Sequence, residues 1–230
     1  MALEIIYEDD NLVAINKPHG LLVHRTRMAK DVTEFAVQQL RNQLGGQHVY
    51  PAHRLDRKTS GVLLFAKSKQ VNQLLQALFR ERKVVKTYIA FVRGYTNAEG
   101  LIDYSLTYNN KSKEAKTKYK TLAQYELPIA SGGFETSRYS LVELKPETGR
   151  FHQLRKHMAH IYHPIIGDRP HGCNKQNRLW KDHFGMTSML LHAECLSLNF
   201  PEDNQLKIIA VKHQTFQDVL AHCKIYKREL

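Results

Sequence analysis

Apolar residues in this chain fall mostly into short β-branched or alternating runs, with helical spacing in only a few places. "EIIYED" and "NLVAINK" are two such runs separated by an acidic turn, and "KPHG" closes the second with a Pro-x-Gly turn; they predict an early antiparallel pair. Further strands are predicted for "VVKTYIAFVRG", "TSRYSLVEL", "MLLHAECLSLNF" and "QLKIIAV". Asp31 and Glu34 have capping-box spacing ahead of Val32, Phe35, Ala36, Leu40 and Leu44, a helical stripe that stops at Gly45 and Gly46. Ser68 is placed to cap a second helix, whose Val71, Leu74, Leu75, Leu78 and Phe79 share a face expected in the core. "RFHQLRKHMAHI" reads as a strand end running into a helix, and Phe216, Val219, Leu220 and Cys223 mark a last helix. The result is mixed α and β structure with more strand than helix. No repeat and no Pro/Gly/Ser-rich linker imposes a boundary, so residues 1–230 are expected to form a single domain.

Charge changes the picture more than composition does. The 34 Lys and Arg against 22 Asp and Glu leave a net +12, which favours polyanionic partners, nucleic acid first among them. A solubilising surface with no partner is the plain alternative. No stretch reaches the roughly 20 apolar residues of a membrane span, and no membrane partner is expected. The acidic N-terminus lacks the features of a secretory signal, and Cys173, Cys195 and Cys223 are odd in number with no CxxC pair, so reduced thiols in the cytoplasm are expected. Residues 108–121, "YNNKSKEAKTKYKT", set five lysines against one acid and are expected to be the most flexible stretch, either a solvated loop or a segment riding on phosphates.

Phosphate loops of the GxxxxGK type, GxGxxG, HExxH and GxSxG are all missing, which removes most nucleotide-driven and common hydrolytic chemistry. Among the 13 histidines, His152, His157, His160 and His163 cluster, but without a complete coordination motif. Stacking on RNA or a structural role explains them as well as a metal does, and no metal or cofactor is expected. The stretch "YPAHRLDRKTSG" places one acid, Asp56, among His53, Arg54, Arg57 and Lys58. Cations around a carboxylate favour its charged form, which suits a nucleophile or a base; a surface salt bridge on a loop is the other reading. "KPETGRFHQLRKHMAH" adds a Thr-Gly-Arg turn and Arg155, a side chain suited to bidentate pairing with a carboxylate.

Four segments together resemble the RluA-type pseudouridine synthases: "HRLDRKTSG" from His53, "KTYIA" from Lys86, "TGRFHQLRKH" from Thr148, and "HPIIGD" from His163. The similarity spans nearly the whole chain and is strongest to tRNA-modifying members. Phe151 and Lys156 depart from the commoner residues at their positions.

The resemblance implies an α+β fold with a mixed, largely antiparallel, bent central sheet and flanking helices; the family often adds an N-terminal RNA-binding module, but strand-like sequence starts here at residue 3, so no N-terminal accessory RNA-binding domain is expected. It implies isomerisation of a uridine in RNA to pseudouridine, in tRNA at uridine-65 of the T arm, by a monomer that acts on neither DNA nor membrane. Asp56 would be catalytic, as nucleophile or as base at the ribose. Arg155 would pair with Asp56, and Tyr88 would stack on the uracil and help remove its C5 proton. His53, Arg54, Arg57, Arg150 and His152 would contact the RNA. A ribosomal RNA substrate and a non-catalytic basic RNA-binding module are the alternatives.

Overall fold

The computed structural model describes residues 2–24, 34–200 and 205–228. They fall into two compact units, one of Met1–Lys86 with His192–His213 and one of Thr87–Leu191 with Gln214–Leu230. In chain order the elements begin with β1 (Glu4–Glu8), β2 (Leu12–Lys17), α1 (Ala36–Gln43), β3 (Tyr50–Pro51), β4 (Ser60–Ala66), α2 (Lys69–Arg80) and β5 (Val84–Arg93). There follow β6 (Glu99–Asp103), β7 (Leu106–Tyr108), β8 (Lys111–Lys113), β9 (Lys116–Leu127), β10 (Ser137–Pro146), α3 (Gln153–His160) and α4 (Asn174–Phe184). The chain ends with β11 (Leu191–Asn199), β12 (Gln205–Ile209), α5 (Gln214–Cys223) and β13 (Lys227–Arg228). None of the described helices is long and apolar enough to cross a membrane.

In the first unit β2 runs antiparallel to β1, as the opening runs predict, and also to β4, with which β3 pairs as well. A parallel pairing joins β4 to β11, which in turn carries β12 antiparallel. Every residue of β4 is buried, the mark of a strand covered on both faces. Gly61 sits in β4 at φ +107°, and a Cβ there would lie 2.1 Å from the Ala193 carbonyl oxygen. Only glycine permits that approach, which explains the glycine ending "DRKTSG". Leu12, Leu64, Leu75, Leu78 and Leu196 centre the core. The Ser68 hydroxyl accepts from the Val71 amide at 3.2 Å, so α2 is capped as expected. Leu74, however, stays 44% exposed, because the apolar stripe of α2 is wider than the face that the core covers. Helix α1 begins only after Phe35, with no side-chain cap; the expected Asp31 and Val32 lie outside the described residues.

In the second unit β10 lies between β5 and β9, and β9 also pairs with β6 and β13, all antiparallel. Most of the stretch expected to be a flexible loop is strand. Lys111–Lys113 forms a hairpin with β7, and β9 begins at Lys116. Lys118 and Lys120 face solvent while Thr117 and Thr121 are buried, so the lysines occupy one side of an alternating strand. Phe91 stacks on Tyr139 with centroids 5.3 Å apart, and Trp180 meets both edge-on. These rings centre one core cluster; Val142, Leu144, Met158 and Met189 belong to a second. The expected strand end is absent: residues 147–152, between β10 and α3, are bend, loop and turn. His152 adopts φ 56°, and the chain turns straight into the helix.

His192 of the first unit is fully buried. Its Nδ1 accepts from the Ser60 hydroxyl at 2.9 Å and its Nε2 donates to the Ala210 carbonyl at 3.1 Å, a pattern that suits the neutral ring. Burial pushes its pKa down to about 4. Between pH 6.5 and that value the unfolded chain takes up a proton that the native ring refuses, so stability is full above pH 6.5 and falls as acid is added. A loss of about 3 kcal/mol from this one group is expected across that range, read from urea unfolding midpoints. His192→Leu should lower stability at neutral pH yet flatten the pH dependence by about one proton's worth; an unaltered slope would refute the assignment.

Candidate active site

Asp56 lies in the loop between β3 and β4, half-buried, with its carbonyl accepting from the Thr59 amide at 3.0 Å to close a turn. That loop is clipped to the "KPHG" turn. The Gly20 amide donates to the Arg57 carbonyl at 2.9 Å, and Arg57 Nε donates back to the Gly20 carbonyl at 2.9 Å.

Beneath the clip lies Lys17, fully buried at the end of β2. Its ammonium donates to the carbonyls of Pro18 and Leu21, each at 2.8 Å, and of Arg57 at 3.2 Å. Three acceptors match three N–H groups, so the buried charge is satisfied while it ties both loops together. Burial presses its pKa down to about 7, and the Asp56 carboxylate works against that shift. Sequence reasoning missed Lys17. The available signal was a lysine ending an otherwise buried apolar strand directly before Pro-x-Gly.

The residues flanking Asp56 divide in character. Arg54 and Arg57 are exposed. His53 instead accepts the Leu64 amide on Nε2 at 3.2 Å and packs on Phe79 with centroids 5.4 Å apart. Burial and the charge of Lys86 push its pKa down to about 3, so this ring is neutral and brings no positive charge to a phosphate.

The second unit carries the remaining candidates. Tyr88 is half-buried on β5, opposite Leu144 of β10 and against the Val142 and Met158 cluster. Arg155 on α3 forms a two-pronged pair with Asp168, Nε to Oδ2 at 2.7 Å and Nη2 to Oδ1 at 2.8 Å. Both side chains are almost wholly buried, at 6% and 1% exposed. The His171 amide reaches the same carboxylate at 3.3 Å. Asp168 closes "HPIIGD", and its role as holder of Arg155 is a feature the sequence reading did not assign.

Gln153 sets the Thr-Gly-Arg turn ahead of α3. Its Oε1 accepts from the Thr148 hydroxyl at 2.7 Å and the Arg150 amide at 3.0 Å, while Nε2 donates to the Lys116 carbonyl at 2.9 Å. Arg150 is exposed, with Nε donating to the Glu114 carbonyl at 2.9 Å. His152 stacks on exposed Phe151 at 3.7 Å and shares a hydrogen with His171 at 2.9 Å.

The clustered histidines serve separate ends. His157 is buried between the Thr117 hydroxyl and the Tyr104 carbonyl, His160 stacks on Tyr104, and His163 donates from Nδ1 to the Arg93 carbonyl. Among the described residues no group of three or more His, Cys, Asp or Glu is placed to hold a metal ion. The candidate side chains Asp56, Arg155 and Tyr88 carry a carboxylate, a guanidinium and a phenol, groups suited to act as a base or nucleophile, an orienting cation and an aromatic face.

Residues 11–160 match the family model described as RNA pseudouridylate synthase. A protein of Vibrio parahaemolyticus named tRNA pseudouridine synthase C is 48% identical over 215 residues, 88% of this chain and 87% of that protein. Proteins of the same name from Yersinia pestis and Pasteurella multocida are 51% and 46% identical, covering 86% and 96% of this chain and 82% and 96% of their own lengths. Among solved structures, human RNA pseudouridylate synthase domain containing 4 superposes with a TM-score of 0.74 at 27% identity, covering 98% of this chain and 94% of its own. Human RNA pseudouridylate synthase domain containing 1, at TM-score 0.73 and 23% identity over 96% and 94%, shares the fold. The chain belongs to the RNA pseudouridylate synthase family of isomerases.

Proposed function

We propose that this isomerase converts one uridine of tRNA, uridine-65 in the T arm, to pseudouridine, with Asp56 as its catalytic carboxylate. The reading is carried by the relatives named tRNA pseudouridine synthase C, which match over most of both chains. The reaction breaks the bond from N1 to C1′, turns the uracil over and joins C5 to C1′. The C5 proton leaves and N1 gains one, so atoms balance without oxidant, reductant or cofactor.

A paired or stacked uridine must first be flipped out, at a cost of a few kcal/mol that contacts to the RNA backbone offset. The net charge of +12 suits that grip, with Arg54, Arg57, Arg150 and His152 as the RNA-contacting set. Asp56 acts either by attacking C1′ or by taking a ribose proton. Its loop is immobilised by the Lys17 and Arg57 clip, which favours a preorganised carboxylate. Arg155, held by Asp168, orients the reacting carboxylate; Tyr88 stacks on the uracil and helps remove the C5 proton.

The test is to incubate the purified protein with unmodified tRNA and, separately, with ribosomal RNA transcripts, and to map pseudouridine by carbodiimide labelling and primer extension. One modified position in the T arm is expected. Modification of ribosomal RNA alone would move the enzyme to that substrate, and modification of neither would remove the reading.

A further inference from the structure

Helix α4 and the turn before it line a cavity of about 380 Å³ in the second unit, away from every residue given a role above except the Gly167 to Asp168 turn. Arg169, Arg178 and Lys181 face it, together with Asn174 and Thr187, and Asp182 is the single acid of the lining. Arg178 and Lys181 lie three residues apart on α4 and so share a face of the helix. All three cations are exposed, and among the described residues none of them forms a salt bridge. Elsewhere this surface pairs its lysines, as in Lys67 with Glu8, Lys83 with Glu81, Lys118 with Glu147 and Lys145 with Glu143. Three cations gathered round one concavity with a single acid among them leave a net positive charge that favours an anion there.

The walls are built to hold shape. Asn177 accepts the Gly167 amide on Oδ1 at 2.8 Å and donates from Nδ2 to the Asp168 carbonyl at 2.7 Å. Gly167 takes φ +83°, and a Cβ there would lie 2.0 Å from the Ser188 carbonyl oxygen, so the turn and the segment behind it are in backbone contact. The volume accommodates a phosphate with its sugar, being near the lower end of the range for small-ligand sites. The lining has no aromatic side chain on which a base would stack. Cations and amides without a stacking surface match the backbone of a nucleic acid rather than its bases.

We propose that this cavity seats a backbone phosphate of the substrate RNA, making α4 an RNA-docking surface separate from the flipped uridine. The inference rests on the reading of the protein as an RNA isomerase. Because Gly167 and Arg169 bracket Asp168, whose carboxylate grips Arg155, the docked phosphate is fixed one residue from the anchor of that arginine.

Arg178→Gln combined with Lys181→Gln tests it, with Lys224→Gln combined with Lys227→Gln removing the same charge from another exposed site. For the α4 pair, Kd and KM for tRNA are expected to rise about tenfold, and the slope of log Kd against log salt to fall by about 2, with the loss in KM rather than kcat. The control pair should stay within about twofold of wild type. Equal losses in the two pairs would show diffuse electrostatics and overturn the site. An unchanged Kd in the α4 pair, with wild type active, overturns it too. Sub-millimolar inorganic phosphate binding at α4 with RNA affinity unaffected would overturn RNA as the occupant. A wild-type protein that neither binds nor modifies RNA would instead overturn the enzyme reading, and the RNA occupant with it.

Discussion

Asp56→Asn is expected to abolish pseudouridine formation, lowering turnover by at least about 10⁴-fold while the protein folds and binds tRNA as before. Asparagine matches aspartate in shape, and the loop is held through backbone and Lys17 contacts that the substitution does not remove: the Thr59 amide, the Gly20 and Arg57 exchange, and the three carbonyls on Lys17. What is lost is an anionic oxygen able to bond to carbon or accept a proton. Single-turnover assays at saturating tRNA separate this from weaker binding. Conversion within about a hundredfold of wild type would assign Asp56 to the architecture of the loop instead.

Asp168→Ala should have a large effect on stability. It strips a buried guanidinium of a two-pronged partner, for which a cost of about 3–5 kcal/mol is expected in urea unfolding. The mirror change, Arg155→Ala, strands a carboxylate that is 1% exposed and should cost about as much. The informative variant replaces both, Arg155→Met with Asp168→Leu. An apolar pair of similar size should recover most of the stability, because the desolvation penalty disappears with the charges. Turnover should not recover if Arg155 orients the reacting carboxylate. A stable double variant with near-normal kcat would confine the pair to scaffolding.

The parts of this molecule legible in its sequence are those decided locally. β-branched runs bounded by Pro, Gly and acidic turns became β1, β2 and β5, and Ser68 capped α2 where a serine before an apolar stripe should. In the lysine-rich stretch composition favours a loop while alternation favours a strand, and alternation wins, with Thr117 and Thr121 buried between exposed lysines. The turn before α3 diverged for a different reason. The His152 turn is bent by Gln153 reaching Thr148 and Lys116, the latter 37 residues away, and no local propensity encodes such a tie.

The site shows the same division. Asp56 stands out in sequence because one acid among bases is a local pattern. That Asp168 grips Arg155, that Lys17 ends up buried on three carbonyls, and that His53 is neutral beside Leu64 are facts about tertiary neighbours. A histidine among arginines reads as a cation until burial is known, and burial reverses the inference.

The parallel pairing of β4 with β11 has a consequence for biogenesis. It joins Ser60 to His192, so the first unit draws its last strands from a segment made more than a hundred residues after its β4. The second unit is likewise completed only by Gln214–Leu230. Neither can finish while the ribosome is still in the middle of the message. Until then the Ser60–Gly61 end of β4, buried in the finished fold, waits without its β11 partner, an interval in which a nascent chain is open to pairing with another.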